Sequence, residues 1–260
     1  MKVASFNVNG VNGRLPVLLE WLGKTAPDIV CLQELKTSDE KFPAKAIEDA
    51  GYGALWHGQK SYNGVAILAR DATPIERRRG LPGDPDDTHS RYLEASIGDL
   101  VVGSIYAPNG NPAPGPKFDY KLRWLDRLDT YASALLSVPE PVVLCGDYNV
   151  VPTPIDAVVP GRWTFDAVYF PESRAAYGRL LDQGWVDAIR QLHPDKGVYT
   201  YWNFAFRGGY DKSSGLRMDH HLLNAAAAKR LVGAGVDVDT RGWEKPSDHA
   251  PAWVELGSAR

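Results

Sequence analysis

The sequence predicts an α/β fold, a four-layered sandwich in which two mixed β-sheets pack face to face and helices flank them. Two observations carry this prediction. Apolar runs of strand length alternate with helical patterns in the first half of the chain, and shorter apolar runs fill the second half. The length of 260 residues suits one large α/β unit, so we expect residues 1–260 to form a single domain.

The individual elements follow from the spacing of apolar residues. Leu15, Leu18 and Leu22 lie on one face of a first helix. Two further helices are predicted near residues 121–136 and 174–183. The predicted strands are apolar runs that end at polar or turn residues, and they cover residues 3–8, 28–34, 64–69, 100–106, 141–147, 199–204, 218–223 and 251–256.

Composition and charge restrict the kind of partner that the protein can bind. Hydrophobic residues make up 44% and charged residues 23% of the chain, which excludes a disordered protein. Lysine and arginine number 29 against 32 aspartate and glutamate, so the net charge is −3. This charge excludes a generic nucleic-acid binder whose whole surface is basic. An anionic partner must therefore be held locally, by a basic patch or by a metal ion.

The cysteines and the N-terminus indicate the compartment. Cys31 and Cys145 are too few for a disulfide framework and each lies in an apolar run, so we expect two buried, reduced thiols. The chain begins directly with an apolar strand, which predicts no secretory signal. No apolar stretch approaches about 18 residues, so we expect no membrane span and no membrane partner. A reducing, cytoplasmic compartment follows as the expectation.

Polar side chains stand where several of the predicted strands end. These strand-end residues are Asn7, Glu34, Asp147, Asn149, Asp219, Asp248 and His249. Each one alone is explained as a turn, cap or solvated residue. Together they include four carboxylates, which are costly to bury unless a cation or hydrogen bonds hold them. Carboxylate and amide oxygens suit Mg²⁺ or Mn²⁺, whereas two distant cysteines cannot make a closed zinc site.

A metal site beside a histidine–aspartate pair is typical of phosphodiester hydrolysis. A bound metal ion polarises the phosphoryl oxygen and neutralises developing charge. A carboxylate orients or deprotonates the attacking water, and a histidine held by an aspartate stabilises charge on the phosphoryl group. The strand-end residues therefore predict a metal-assisted hydrolase of phosphodiesters.

Five motifs occur in order along the chain. They are the segments 5–10 (SFNVNG), 31–34 (CLQE), 106–110 (YAPNG), 146–149 (GDYN) and 247–251 (SDHAP). With these motifs the chain resembles the exonuclease III family of AP endonucleases, within the wider endonuclease/exonuclease/phosphatase fold that includes deoxyribonuclease I. The runs 57–60 (HGQK) and 245–249 (KPSDH) point to the narrower family, and the resemblance extends from about residue 2 to residue 254.

The resemblance implies a metal site that binds Mg²⁺ or Mn²⁺. Glu34 would be the principal ligand, with Asn7 beside it, and Asp248 would be a further ligand. The candidate ligands of a second metal ion are Asp147, Asn149 and His249.

The resemblance also implies a catalytic role for five residues. Asp147 would activate the attacking water, and Asn149 would hold the scissile phosphate. Tyr106 would place its hydroxyl on the phosphate or on the nucleophile. His249 would contact the phosphate as an imidazolium that Asp219 fixes in place.

A DNA-binding surface is implied in the loops around this site. Trp202 and Leu216 would wall a pocket that accepts a flipped, base-less sugar and excludes a base. The candidate contacts to the DNA backbone are the basic residues Lys121, Arg207, Lys212 and Arg217. Two departures from the family pattern lie nearby: Asn203 and Phe204 replace an acidic residue and a tyrosine, and a second histidine stands at His221.

The expected function is that of a Mg²⁺-dependent DNA repair nuclease, a monomer that acts on double-stranded DNA with abasic or 3′-end lesions. It would incise 5′ to abasic sites and/or act as a 3′–5′ exonuclease and 3′-end-cleaning phosphodiesterase. The alternative is a phosphatase or phosphodiesterase of the same fold that hydrolyses small or lipid phosphoesters. A non-catalytic DNA-binding protein is a third hypothesis, which the presence of Glu34, Asp147 and His249 disfavours.

Overall fold

The strands pair into two six-stranded sheets, in a computed structural model that describes residues 1–205 and 209–258. The strands are β1 (Lys2–Asn7), β2 (Ile29–Gln33), β3 (Tyr52–His57), β4 (Val65–Arg70), β5 (Ile75–Arg79), β6 (Tyr92–Ile97), β7 (Leu100–Tyr106), β8 (Val142–Asp147), β9 (Val186–Asp187), β10 (Asp219–Leu223), β11 (Leu231–Val236) and β12 (Ala252–Leu256). The helices are α1 (Leu15–Thr25), α2 (Ala44–Asp49), α3 (Pro116–Leu135), α4 (Pro171–Asp182), α5 (Ala188–Leu192) and α6 (Ala225–Ala228). The strand order is β11-β12-β1-β2-β4-β3 in the first sheet and β5-β6-β7-β8-β10-β9 in the second.

Each sheet is mixed because it contains one parallel pair that a helix connects. β1 and β2 run parallel and are joined by α1, and β7 and β8 run parallel and are joined by α3. The other pairings are antiparallel. Helix α1 buries Val17, Leu18, Trp21 and Leu22. Leu18 and Leu22 belong to the predicted apolar face, whereas Leu15 is only half-buried.

The core has one layer between the sheets and one beneath the helices on each outer face. The inter-sheet layer joins Val3 and Cys31 of the first sheet to Val102 and Val143 of the second. Helix α1 packs on the outer face of the first sheet, and α3 and α4 pack on that of the second. The predicted four-layered sandwich is therefore confirmed.

Most predicted elements are present, but one predicted strand is absent and five strands were missed. Residues 199–204 do not form a strand, since Tyr201 and Phe204 make only isolated bridges. The strands that the pattern missed are β3, β5, β6, β9 and β11. β5 is exposed throughout and lies at a sheet edge, so it has no apolar face to recognise. Cys31 and Cys145 are free and buried, as predicted.

Membrane insertion of a helix is not supported in the described part of the chain. None of the helices in residues 1–205 and 209–258 is long and apolar enough to cross a membrane.

Arg217 is an internal residue, which corrects the prediction that it contacts DNA. Its side chain is 1% exposed and lies between two buried carboxylates, that of Asp156 in the turn Pro154–Asp156 and that of Asp187 in β9. Its Nε donates to Asp156 Oδ1 at 2.6 Å, and its Nη1 donates to Asp187 Oδ2 at 2.8 Å. Burial by itself would raise the pKa of Asp187, but the Arg217 guanidinium lowers it to about 2. The guanidinium therefore serves as an internal counter-charge and has no surface to offer to a phosphate.

Replacing Arg217 by Met should destabilise the fold strongly, because Asp187 and Asp156 would lose the cation buried with them. We expect a loss of about 3–5 kcal/mol in the free energy of unfolding, measured by urea denaturation. The matched control is Arg179→Met, which breaks an exposed ion pair with Asp126 and should cost about 1 kcal/mol or less. Equal losses in the two variants would contradict the internal role of Arg217.

Candidate active site

The strand-end residues meet at one edge of the sandwich, where the two sheets face each other. In the second sheet, the strand register places Asp147 between Tyr106 and Asp219 on neighbouring strands. In the first sheet, Asn7 ends β1 and Glu34 follows β2, its parallel neighbour. A cavity of about 250 Å³ opens at this edge, and the predicted residues that line it are Glu34, Tyr106, Asp147, Asn149, Leu216, Asp248 and His249.

Backbone conformation at the strand ends directs two of these side chains. Gly146, with φ of 152°, precedes Asp147, and a Cβ there would lie 1.9 Å from the carbonyl oxygen of Ile105. Only glycine therefore lets β8 pair this closely with β7. Glu34 adopts a left-handed conformation with φ of 52°, which costs a non-glycine residue about 1–2 kcal/mol. Backbone strain at a half-buried acid that faces a cavity is typical of functional sites, which agrees with the prediction for Glu34.

Asp147 is buried and held in one orientation by neighbouring amides. Asn7 Nδ2 donates to its Oδ2 at 2.9 Å, and the backbone N–H of Asn149 donates to its Oδ1 at 2.8 Å. Burial raises the pKa of Asp147, and the nearby negative charges of Asp219 and Glu34 raise it further. The positive charge of His249 offsets these effects only in part, so the pKa of Asp147 is about 7. The carboxyl group can therefore both hold and release a proton near neutral pH.

His249 is the positive charge among these buried acids. Its Nδ1 lies 2.7 Å from Asp219 Oδ2, and its Nε2 points toward Asp147 Oδ2 at 3.8 Å. Burial by itself would lower the pKa of His249, but the charge and hydrogen bond of Asp219 outweigh this and raise it to about 10. The ring is therefore an imidazolium at neutral pH, with Nδ1–H donated to Asp219.

Glu34 is surrounded by donors and by one cation. Asn7 Nδ2 and Tyr106 Oη both donate to Glu34 Oε1, at 2.9 and 3.0 Å. Lys36 Nζ lies 2.7 Å from the other oxygen, Oε2. Burial would raise the pKa of Glu34, but the hydrogen bonds from Asn7 and Lys36 lower it below its usual value. Glu34 is therefore a carboxylate that attracts positive charge.

The donor set fits a hard divalent ion bound by few protein ligands. Among the described residues, no cluster of three or more His, Cys, Asp or Glu side chains forms a complete metal cage. Such a cage is not needed for Mg²⁺, which typically keeps several waters and binds one or two carboxylates together with a substrate phosphate. The Lys36 ammonium on Glu34 Oε2 shows that a cation is accommodated there. Asn7 turns its amide nitrogen toward both carboxylates, which places it as an orienting group in this structure.

Lys121 is a buried tether, which corrects the prediction that it reaches a phosphate. Its side chain is fully buried in α3, and its Nζ donates to the backbone carbonyls of Asn109, Asn149 and Ala167. Burial lowers the pKa of Lys121 to about 7. The lysine therefore ties together the three loops that contain Asn109, Asn149 and Ala167.

Trp202 was the wrong choice of aromatic for the cavity wall, and its neighbour Tyr201 takes this place. Trp202 is 5% exposed and packs against Tyr199 and Tyr210. Tyr201 lines the cavity, with its ring centroid 5.1 Å from that of His249. In an extended segment successive side chains point to opposite sides, so a shift of one residue exchanges the buried and the cavity-facing ring.

The remaining predicted DNA contacts have different fates. Leu216 lines the cavity, as expected for a wall residue. Lys212 is exposed in a short turn and does not line the cavity in the described part of the chain. Arg207 lies outside the described residues.

Several cavity residues were missed by sequence reasoning. They are Asn109, Trp163, Asp166, Val168, Tyr201 and Met218. Asn109 could have been found, because it belongs to the 106–110 motif, and its Nδ2 donates to Asn149 Oδ1 at 3.0 Å. Trp163 lies in a loop without periodicity, so the sequence contains no signal for it.

His220 connects the Arg217 ion pairs to the loop that carries Asn149. Arg217 Nη1 donates to His220 Nδ1 at 3.0 Å, so the proton of the ring lies on Nε2, which donates to the carbonyl of Val150 at 2.9 Å. Burial, reinforced by the Arg217 charge, lowers the pKa of His220 to about 4. On the opposite face of β10, burial and His220 lower the pKa of His221 to about 3. Both histidines are therefore neutral in the folded protein at neutral pH.

The two buried histidines should make stability depend on pH below about 6.5. The unfolded chain binds a proton at each histidine near pH 6.5, whereas the folded protein does not until about pH 4 or 3, so stability rises with pH in this window and falls on acidification. We expect His220→Gln and His221→Gln each to flatten this dependence by about 1.4 kcal/mol per pH unit. Urea denaturation at a series of pH values measures the slope. A slope that stays at the wild-type value in both variants would show that these rings are not neutral when folded.

Comparison with known proteins agrees with this geometry. Residues 4–249 match the model of the Endonuclease/Exonuclease/phosphatase family. The chain is 38% identical to exodeoxyribonuclease III of Haemophilus influenzae, over 98% of this chain and 100% of that protein. Among solved structures, an AP endonuclease from Archaeoglobus fulgidus superimposes with a TM-score of 0.94 at 35% identity, over 99% of this chain and 100% of that one.

A second solved structure is a 3′ phosphatase from Neisseria bound to a product DNA hairpin. It superimposes with a TM-score of 0.93 at 38% identity and covers 99% of this chain and 100% of that one. Sequence and structure agree along nearly the whole length of each of these proteins. The chain therefore belongs to the endonuclease/exonuclease/phosphatase family, and within it to the exodeoxyribonuclease III group.

Proposed function

We propose that this protein is a divalent-metal-dependent DNA repair nuclease that hydrolyses phosphodiester bonds in double-stranded DNA. The observation that carries the proposal is the pairing of an acid and a cation in one cavity: Asp147 Oδ2 lies 3.8 Å from Nε2 of the His249 imidazolium. Attack of water on a phosphate requires a general base for the proton of the water and a cation for the negative charge that develops on the phosphoryl oxygens. Asp147 and His249 lie side by side for these two tasks. The similarity to exodeoxyribonuclease III and to AP endonucleases supports DNA as the substrate.

Asp147 is the residue that takes the proton of the attacking water. With a pKa of about 7 it is present partly as carboxylate at neutral pH, which matches this task. Asn7 and the backbone of Asn149 donate to its two oxygens and thereby fix its direction. Tyr106, whose hydroxyl donates to Glu34, lies opposite Asp147 on the neighbouring strand and lines the same cavity, where it would contact the phosphate.

His249 stabilises the negative charge that develops on the phosphoryl oxygens. Its Nδ1–H is donated to Asp219, so its Nε2–H is free to donate toward the cavity. In a buried site a fixed donor of this kind needs little reorganisation during the reaction. Asn149 would hold the phosphate beside His249. Its side chain is anchored there, because its Nδ2 donates to the carbonyl oxygen of Ala107 and its Oδ1 accepts from Asn109 Nδ2.

Mg²⁺ or Mn²⁺ is the ion that the oxygen donors favour. When bound, such an ion polarises the phosphoryl oxygen and neutralises part of its charge. Glu34 is the residue that would hold it, with Asp248 as a further donor in the same cavity. Lys36, which occupies Glu34 Oε2 in this structure, would then have to move.

Abasic or 3′-end lesions are the proposed sites of action. Tyr201, Leu216 and Met218 form an apolar wall beside the acids, which suits a sugar without its base. Incision 5′ to abasic sites, 3′–5′ exonuclease action and 3′-end cleaning all use the same water attack on a phosphate. We further propose that the protein acts as a monomer in the cytoplasm.

Removing the carboxylate of Asp147, the proposed general base, should strongly slow cleavage and leave DNA binding intact. The assay uses a labelled duplex with one abasic analogue and a second duplex with a recessed 3′ end, each with Mg²⁺ or with EDTA. We expect wild-type protein to cleave only with Mg²⁺, and Asp147→Asn to lower kcat by about 10²–10⁴ at similar affinity. Asp126→Asn, an exposed aspartate on α3, is the control and should behave as wild type. Absence of cleavage of both duplexes by the wild-type protein would refute the proposed function.

Removing the charge of Glu34 should raise the metal requirement. We expect Glu34→Gln to increase the Mg²⁺ concentration for half-maximal cleavage about tenfold or more, with less effect on DNA affinity. Lys36→Met removes the ammonium that competes for the same carboxylate and should not raise this concentration. A Mg²⁺ titration of the cleavage rate measures both. An unchanged requirement in Glu34→Gln would exclude Glu34 as the principal ligand.

A further inference from the structure

A phenylalanine in a loop that contributes to the wall of the active-site cavity is almost completely exposed. The loop 157–168 supplies Trp163, Asp166 and Val168 to the wall of the cavity. Phe165, which stands between these wall residues, is 90% exposed. Single exposed apolar residues are common on proteins, so exposure alone assigns no role. The position of Phe165, between residues that line the cavity, is what calls for an explanation.

The loop that carries Phe165 is fixed on both sides of this residue. Before it, Arg162 Nη1 donates to Asp211 Oδ2 at 2.8 Å, which ties the loop to the turn at 211–214. After it, Asp166 Oδ1 accepts from Asn111 Nδ2 at 2.9 Å. The next carbonyl, that of Ala167, accepts from Ser173 at 2.6 Å and from Lys121. The ring is therefore presented to solvent from a fixed backbone, so ordering it on a ligand costs little entropy.

We propose that Phe165 stacks on a base of the DNA next to the nucleotide that enters the cavity. This inference rests on the proposed function. A duplex whose nucleotide is drawn into a side pocket exposes the face of the neighbouring base, which loses its stacking partner. An aromatic or apolar side chain inserted at such a step replaces this contact. Phe165 is placed for this insertion, since Trp163 and Asp166 on either side of it belong to the cavity wall.

The surroundings of Phe165 favour a nucleobase as the occupant. Phe165 itself does not line the cavity, but Trp163, two residues before it, and Asp166, directly after it, do, so a duplex seated on the cavity passes close to the ring. Base–aromatic stacking is tolerant of sequence, because every base offers a π-face. A repair enzyme that meets lesions in many sequence contexts needs a contact of this kind.

The test replaces Phe165 by Ala and by Trp and compares both with Ile75→Ala. Ile75 is 69% exposed at the far edge of the second sheet, on β5, so its loss controls for removing an exposed apolar side chain. Steady-state cleavage of a duplex with one abasic analogue gives kcat and KM for each variant. Fluorescence of a 2-aminopurine next to the analogue reports stacking, and it is recorded in an Asp147→Asn background so that the DNA stays intact.

We expect Phe165→Ala to raise KM about tenfold with kcat changed much less, and to alter the 2-aminopurine signal of the bound duplex. Phe165→Trp should restore both KM and the signal, whereas Ile75→Ala should match the wild type in both. If the wild type cleaves this duplex but Phe165→Ala has the wild-type KM and signal, the stacking role is refuted and the proposed function stands. If the wild type does not cleave the duplex or a recessed 3′ end, the proposed function itself fails.

Discussion

The ion pair between His249 and Asp219 is the contact on which the active-site edge depends. Asp219 begins β10 in the second sheet, and His249 precedes β12 in the first, so the pair joins the two sheets at their open edge. It also places the His249 imidazolium beside the buried acid Asp147. Without this cation the carboxylates would face each other in a medium that screens charge poorly, and their common burial would be unfavourable. The His249–Asp219 ion pair thus determines both how the two sheets meet at the site and how the charges of the site balance.

Around this pair, buried basic residues act as internal supports. Lys121 holds three loop carbonyls below the cavity, and Arg217 holds Asp156 and Asp187 beside it. His220 extends the Arg217 contacts to Val150, next to Asn149. The buried side chains of Lys121 and Arg217 are not available to DNA, so the protein's capacity to attract phosphates is lower than its count of basic residues suggests. In the proposed function, a protein with a net charge of −3 would hold its anionic substrate mainly where a divalent ion and His249 lie together.

Much of the fold and the chemical core of the site could be predicted from the sequence. Apolar periodicity was enough for α1 and for the central strands β1, β2, β7 and β8, because buried elements keep long apolar runs. The edge strand β5 escaped, since it is exposed throughout and carries no such run, whereas β11 was missed although its residues are apolar or glycine. The prediction that the polar residues at the strand ends lie close together was correct for Asn7, Glu34, Asp147 and His249, because neighbouring strands end at a common edge.

The sequence by itself determined which kinds of side chain stand at the strand ends, and so the hard-ion and acid–base chemistry of the family. Only the tertiary structure decided which side chains of the adjoining loops face the cavity and which face the interior. Tyr201 rather than Trp202 faces the cavity because an isolated bridge to Leu216 fixes the register of that segment. It also decided that Lys121 and Arg217 are interior residues, which their charge alone would have placed at the surface. Burial and register arise from contacts between segments far apart in the chain, and no local pattern encodes them.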